Sequence, residues 1–437
     1  MGGGVDIRKE TGVHRIVNWR GSKSGKASVS VIFLTVFIDL IGFGIVVPLV
    51  PVYSKHYQAG GFMLALILAS FSAMQFVFSP VWGRWSDRIG RRPMLLLSTA
   101  GASMAYALLA IASGLENHTL AMTLLLVSRI LGGICGGNIA VAQAYVADIT
   151  PPEMRSRRMG LIGMAFGLGF IFGPVIGGQS LRWFGITGPG WVAAGLCAVN
   201  FLLASAILVE SRQSSSETAL PARPHLAQWT HTLRQPGIGF LVGVYFVSTF
   251  CFSCFECTLP LMVVRKNDLS VEIPQNLIGT LMYLYAYCGL IGALVQGFLT
   301  GHLVNLMGES RLMSASLVFS GAGFAVLPFV SGTGAFRWDH LFQAEGIVWW
   351  CLLGALAMIS AGAHLTRPPL FGLLSRWTSD QEQGANIGVA QSAGSLARIL
   401  GPFFAAPLFI HSPPAPYLVC ALISTVTGVI VLRRLKH

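Results

Sequence analysis

Twelve stretches of the chain are each long and apolar enough to cross a bilayer as a helix, and that count constrains everything else the sequence can encode. They fall roughly at 29–50, 62–82, 93–113, 119–147, 158–179, 190–209, 237–264, 276–300, 311–331, 347–366, 383–410 and 416–432. A hydrocarbon core about 30 Å thick takes about 20 helical residues per crossing, so spans and short connections use up the chain. The expectation is an all-α membrane protein with twelve transmembrane helices. Charged residues make up only 11% of the sequence, against about 25% in soluble domains, which excludes a soluble enzyme. The longest polar internal segment, 210–236, is rich in Ser, Pro and His and reads as a linker between six-helix bundles at 29–209 and 237–432. Basic tails at 1–28 and 433–437 flank them.

Lys and Arg set the orientation. With the N-terminus inside, 22 of the 29 basic residues fall in cytoplasmic segments, five outside and two, Arg129 and Arg398, within spans. Both termini are therefore expected in the cytoplasm, with the chain in a plasma (inner) membrane and no cleaved signal peptide. This asymmetry, together with anionic lipid, accounts for the net charge of +12 and calls for no nucleic-acid partner. The eight cysteines lie in apolar stretches and act as small hydrophobes. Cys251, Cys254 and Cys257 fan around a helix without an obvious fourth ligand, so neither a metal nor a cofactor is expected. No phosphate loop, zinc helix motif or serine elbow occurs in a suitable context, and covalent catalysis is not expected.

The two halves repeat. Gly83, Arg84, Asp87 and Gly90 after the second span match Gly301, His302, Asn305 and Gly308 after the eighth, at an offset of 218. Gly160, Gly173 and Pro174 in the fifth span match Gly388, Gly401 and Pro402 in the eleventh, at an offset of 228. The polar loop containing Arg337, Trp338, Asp339 and His340 absorbs the difference. Parallel duplicated halves are a transporter architecture, with a path between them near the midplane.

Three motifs stand on this frame. In Gly83-Arg-Trp-Ser-Asp-Arg-Ile-Gly-Arg-Arg92, glycines permit a tight turn between helices. There Asp87 can cap a helix end and pair with Arg88, Arg91 or Arg92 as a gating latch. Arg129-Ile-Leu-Gly-Gly133 puts an expensive charge inside the fourth span, which marks it as functional or as a structural pair. In the fifth span Gly169, Gly173 and Gly177, with Gly178 beside them, form a small stripe for close helix contact, and Pro174 frees a backbone carbonyl.

With Asp39-Leu-Ile-Gly-Phe-Gly-Ile-Val-Val-Pro48 on the first span, these motifs make the chain resemble the major facilitator superfamily, and within it the tetracycline-efflux-like drug:proton antiporters. The match is closest across 83–178 and weaker in the second half. The resemblance implies alternating access and proton coupling. Where tetracycline exporters carry acids in the third and ninth spans this chain has Ala105, before Tyr106, and Ser320, so poor tetracycline transport is expected.

Asp39 and Glu256 are the acids well within spans, and Arg129 and Arg398 the bases. An acid whose arginine neighbour moves can exchange a proton, so these four are the candidate coupling residues, with permanent structural pairing as the alternative. Arg398 is expected to pair with Asp39 or Glu256 in at least one conformation of the transport cycle. Tyr106, Asn138, Gln143 and Gln391 are candidate cavity residues, and Tyr145, Tyr283, Tyr285, Tyr287 and Gln296 add further polarity. The expectation is a monomeric proton-coupled exporter of small amphipathic or hydrophobic compounds, with import of a small organic solute, or a non-transporting scaffold or sensor, as alternatives.

Overall fold

The computed structural model describes residues 29–46, 61–212, 225–263, 275–330 and 346–435. The N-tail, Pro48, Lys55, Arg265, Lys266, the loop with Arg337, and Lys436 lie outside the described residues. The helices of the first half are α1 (Val29–Val46), α2 (Gly61–Ile89), α3 (Arg91–Ser113), α4 (His118–Cys135), α5 (Asn138–Asp148), α6 (Arg155–Phe184) and α7 (Gly188–Ile207). A short α8 (His225–Arg234) lies in the expected linker. The second half holds α9 (Pro236–Val263), α10 (Gln275–Leu294), α11 (Thr300–Met307), α12 (Glu309–Val326), α13 (Gly346–Trp377), α14 (Gln383–His411) and α15 (Ala415–Arg434). Among the described residues, eleven helical segments are long and apolar enough to span a membrane, α4 with α5 forming one of them. With α2 they fill the twelve expected places, and no strand occurs among the described residues.

The duplication is visible in the backbone. Gly90 and Gly308, 218 residues apart, break α2 from α3 and α11 from α12 with φ of +111° and +77°, a region that side-chain-bearing residues rarely enter. Contacts repeat as well. A Cβ on Gly160 of α6 would meet the Gln296 carbonyl at 2.6 Å, and one on its counterpart Gly388 of α14 would meet the Ser79 carbonyl at 2.6 Å. Thus α6 packs on the π-helical turn Val295–Leu299 between α10 and α11, and α14 packs on α2, by the same backbone approach.

The halves share one core at the arginine-rich end and keep separate cores at the other. Ile32, Val141, Tyr145 and Ile162 of the first half join Tyr245, Leu317, Phe371 and Ile387 of the second in one cluster. Toward the opposite end, Ile45, Leu109, Leu125 and Cys197 form a core within the first half, and Phe255, Leu284, Trp349 and Tyr417 form another within the second. Among the described residues the halves are closed at the arginine-rich end and parted at the other.

Prolines inside the spans tie helices together. A helical proline orphans the carbonyl four residues earlier, and in a bilayer that carbonyl must find a donor elsewhere. Pro80 frees the Phe76 carbonyl, which accepts from Ser392 Oγ across the halves. Pro260 frees that of Glu256, which accepts from the Tyr285 hydroxyl at 2.7 Å. Pro368 frees that of His364, bonded by Gln296 Nε2 at 3.0 Å, and Pro402 frees that of Arg398, bonded by Ser253 Oγ at 3.4 Å.

Candidate functional site

The closed end is a seam built on backbone approach and one buried carboxylate. Gly83 of α2 lies so close to Gly384 of α14 that a Cβ there would overlap its carbonyl oxygen. This brings Asp87 to the N-terminus of α14, where its carboxylate accepts from the backbone N–H of Gly384 at 2.9 Å and of Ala385 at 2.8 Å. Free amides at a helix start favour an anion there. Arg91, fully buried, donates to Asp87 Oδ1 at 2.6 Å and to Asp148 Oδ2 at 2.9 Å. Gly90 provides the turn, and Glu210 caps the start of α3 by accepting from the N–H groups of Arg91 and Arg92 at 2.8 and 3.0 Å. The Arg92 side chain donates to the Ser205 carbonyl at 2.7 Å, while Arg88 is exposed. Asp148 and Glu210 were not among the sequence candidates, because nothing local marks the end of one span as the partner of another.

A second seam joins α6 to the other half. Arg155 donates to the Ser375 carbonyl at 3.0 Å, and Glu309 accepts from both Ser156 of α6 and Arg376 of α13. Gly163 leaves room for the Gln296 side chain and Gly167 approaches the Gly289 carbonyl. The sequence-predicted stripe of α6 faces elsewhere: Gly169, Gly173 and Gly177 pack on Leu40, Gly44 and Ile45 of α1, within the first half. Nothing lies within 4 Å of a Cβ placed on Gly178, and Pro174 lies within α6.

The charges inside the bundle form two clusters. In the first half Asp39 accepts from Asn138 Nδ2 at 2.8 Å beside the Cys197 thiol at 4.0 Å, and the Arg129 guanidinium lies 5.8 Å from the ring centres of both Phe71 and Tyr106. Tyr106 thereby stands within electrostatic range of Asp39 and Arg129 together. In the second half Glu256 is within electrostatic range of Arg398 and of Arg367. In this conformation Arg398 hydrogen-bonds neither Asp39 nor Glu256. Its Nη2 donates instead to Gln75 Oε1 across the halves at 2.6 Å and to Ser395 Oγ at 2.9 Å.

Arg367, counted in the sequence as a cytoplasmic loop residue, lies ten residues inside the end of α13. Gln143 and Gln391 meet each other across the halves at 2.8 Å, as part of the closed seam. Tyr145 donates to the Val209 carbonyl at 2.8 Å. Tyr283 is exposed and Tyr287 half-buried. Of the two departures from the tetracycline exporters, Ala105 is fully buried and Ser320 packs against Gly362 of α13, so neither faces the space between the halves.

The described helices thus form a parallel repeat, closed at one end over two charged clusters inside the bundle. A family profile described as Major Facilitator Superfamily matches residues 32–344 and 273–437. The chain belongs to the Major Facilitator Superfamily. It is a membrane transporter by family and has the superfamily fold of two six-helix bundles. Among its superfamily relatives, the class G tetracycline resistance protein of Vibrio anguillarum is 31% identical over 384 residues, covering 86% of this chain and 89% of the relative. Multidrug resistance protein 2 of Bacillus subtilis is 28% identical over 390 residues, covering 88% and 90%. The crystal structure of the human organic anion transporter MFSD10 (TETRAN) superposes with a TM-score of 0.73 at 24% identity, covering 92% of this chain and 98% of that one.

Proposed function

We propose that this transporter is a proton-coupled antiporter that exports small amphipathic or hydrophobic compounds across the plasma membrane by alternating access, as a monomer with its arginine-rich end and both termini in the cytoplasm. The observation that carries the reading is Asp39: a carboxylate inside the first half, held by the neutral amide of Asn138 and retaining partial exposure. A carboxylate in such a place gains or loses its proton as water reaches it or leaves it, which is what coupling to an alternating cavity requires. Arg129, on its two aromatic rings, supplies a positive charge that can approach or recede through Tyr106. Relatives named for tetracycline and multidrug resistance support an exporter.

The test is a proteoliposome assay with an internal pH dye and a panel of amphipathic compounds. Substrate addition is expected to move protons in the wild-type protein and to move none in Asp39→Asn, which should still carry substrate down its own gradient. A variant whose flux still follows an imposed pH gradient would leave Asp39 a structural residue. The direction of compound movement in the same vesicles separates export from import.

A further inference from the structure

The rungs that join the halves end at two places related by the repeat: Arg398 on Gln75, and Phe170 beside Gly289. Past them the bundles have separate cores, so Arg398 stands at the floor of the space between the parted ends. Among the described residues the charge at this floor does not balance: Arg367 and Arg398 lie within electrostatic range of each other and share one nearby carboxylate, Glu256. Arg367 Nε is buried without a hydrogen-bond partner, and its guanidinium lies 5.9 Å from the Phe252 ring centre. Arg398 Nη2 is met by neutral oxygens, from Gln75 and Ser395, and the Tyr245 phenol is a further neutral neighbour of its guanidinium.

The walls are aromatic. One helical turn from Gln75 toward the parted end, the Phe71 ring lies tilted against Phe43 with centres 4.9 Å apart, and Phe43 meets the half-exposed Phe170 edge to face at 5.8 Å. Two guanidiniums with one counter-ion, beneath such rings, complement a flat apolar body that carries a negative charge.

We propose that the ligand is an aromatic organic anion, of the carboxylate class, whose charged end sits between Arg367 and Arg398 in place of Glu256 and whose ring lies against Phe71, Phe43 and Phe170. The inference rests on the transport reading above and narrows its substrate class. It assigns Glu256 the part of an internal counter-anion, one that competes with the ligand and leaves proton exchange to Asp39.

The probes are 1-naphthoate, the neutral isostere 1-naphthamide and the cation 1-naphthyltrimethylammonium. Each is titrated into the purified full-length protein in detergent near neutral pH, with binding read by ligand-induced thermal stabilisation. Saturable binding of naphthoate is expected, with amide and cation at least about tenfold weaker. Arg367→Gln and Arg398→Gln should each weaken naphthoate at least about tenfold, and the lysine variants should recover part of the loss. Glu256→Gln should tighten naphthoate about threefold or more, a gain that loss of structure does not produce.

Absent naphthoate binding, equal or tighter binding of the cation, or glutamine variants that elute as monodisperse protein and bind like the wild type would each overturn the proposal. Should those variants fail to fold, Glu256→Gln decides alone, and unchanged or weaker binding there sinks it. Equilibrium binding needs no proton gradient. Naphthoate binding without proton movement in vesicles therefore leaves this inference standing and removes antiport, whereas proton movement driven only by cationic compounds does the reverse.

Discussion

The turn between α2 and α3 and its repeat between α11 and α12 occupy equivalent places and use opposite charges. In the first, Arg91 at the start of α3 is the centre, bonded to Asp87 and to Asp148 at the end of α5. In the second, Glu309 lies 218 residues after Arg91, and its partner Arg376 lies 228 after Asp148. An arginine and acid have changed places while the ion pair between neighbouring spans has stayed. Asp87 has no acidic counterpart, because Asn305 stands at its position. The first turn thus reaches the opposite half with a carboxylate on two helix-start amides, and the second only with Glu309 accepting from Ser156. Duplication preserved the geometry of the seam and left the choice of charge free, and the two seams are accordingly unequal in strength.

Asp87→Asn tests the stronger side and should have the largest effect. It removes the charge from the α14 amides and leaves Arg91 buried with one carboxylate fewer, and breaking such a pair costs about 3–5 kcal/mol. Reconstituted protein should insert normally and transport at least about tenfold more slowly. Turnover at the wild-type rate would remove the latch.

Glycine substitutions sharpen the same contrast. In Gly83→Ala the new methyl meets a backbone carbonyl that cannot step aside, so transport should fall about threefold or more. Glu309→Gln comes next, since Arg376 is about one-third exposed and a pair so open to solvent contributes roughly 0–1 kcal/mol. Flux within about twofold of wild type is expected. A loss as deep as that of Asp87→Asn would mean that the two seams are equal after all. The smallest effect belongs to Gly301→Ala, the repeat of Gly83, where the methyl meets only the flexible side chain of Arg157. Vesicle flux should be unchanged there, and equal losses from Gly83→Ala and Gly301→Ala would break the comparison.

The spans, the duplication and the residues of the first turn were legible because hydropathy and short motifs are local signals. Partners were not. Asp148, Glu210 and Gln75 act on residues far away in the chain, and nothing in their own neighbourhoods distinguishes them. The glycines of the fifth span were read as a close-contact stripe, but sequence alone could not say which helix they meet, or that Gly160, Gly163 and Gly167 form a separate face toward the other half. Arg367 was missed for a different reason. Arg367-Pro368-Pro369 ends the apolar window and reads as a stop, yet α13 continues to Trp377 because Gln296 supplies a donor to the carbonyl that Pro368 frees. Hydropathy cannot register a helix that is completed by its neighbour.

The proline-freed carbonyls have a consequence for the transport cycle itself. Those of Glu256, His364 and Arg398 are served from within the second half, and a rigid rotation of that bundle would carry donor and acceptor along together. The Phe76 carbonyl is served by Ser392 from the opposite bundle, so parting the arginine-rich end strands a peptide oxygen and a hydroxyl at once. Neither group tolerates a dry apolar surface, at roughly 1–3 kcal/mol each. Opening at that end is therefore a wetting event: solvent must advance along α2 as far as the Pro80 bend, and the depth to which it advances is fixed by where evolution placed one imino acid.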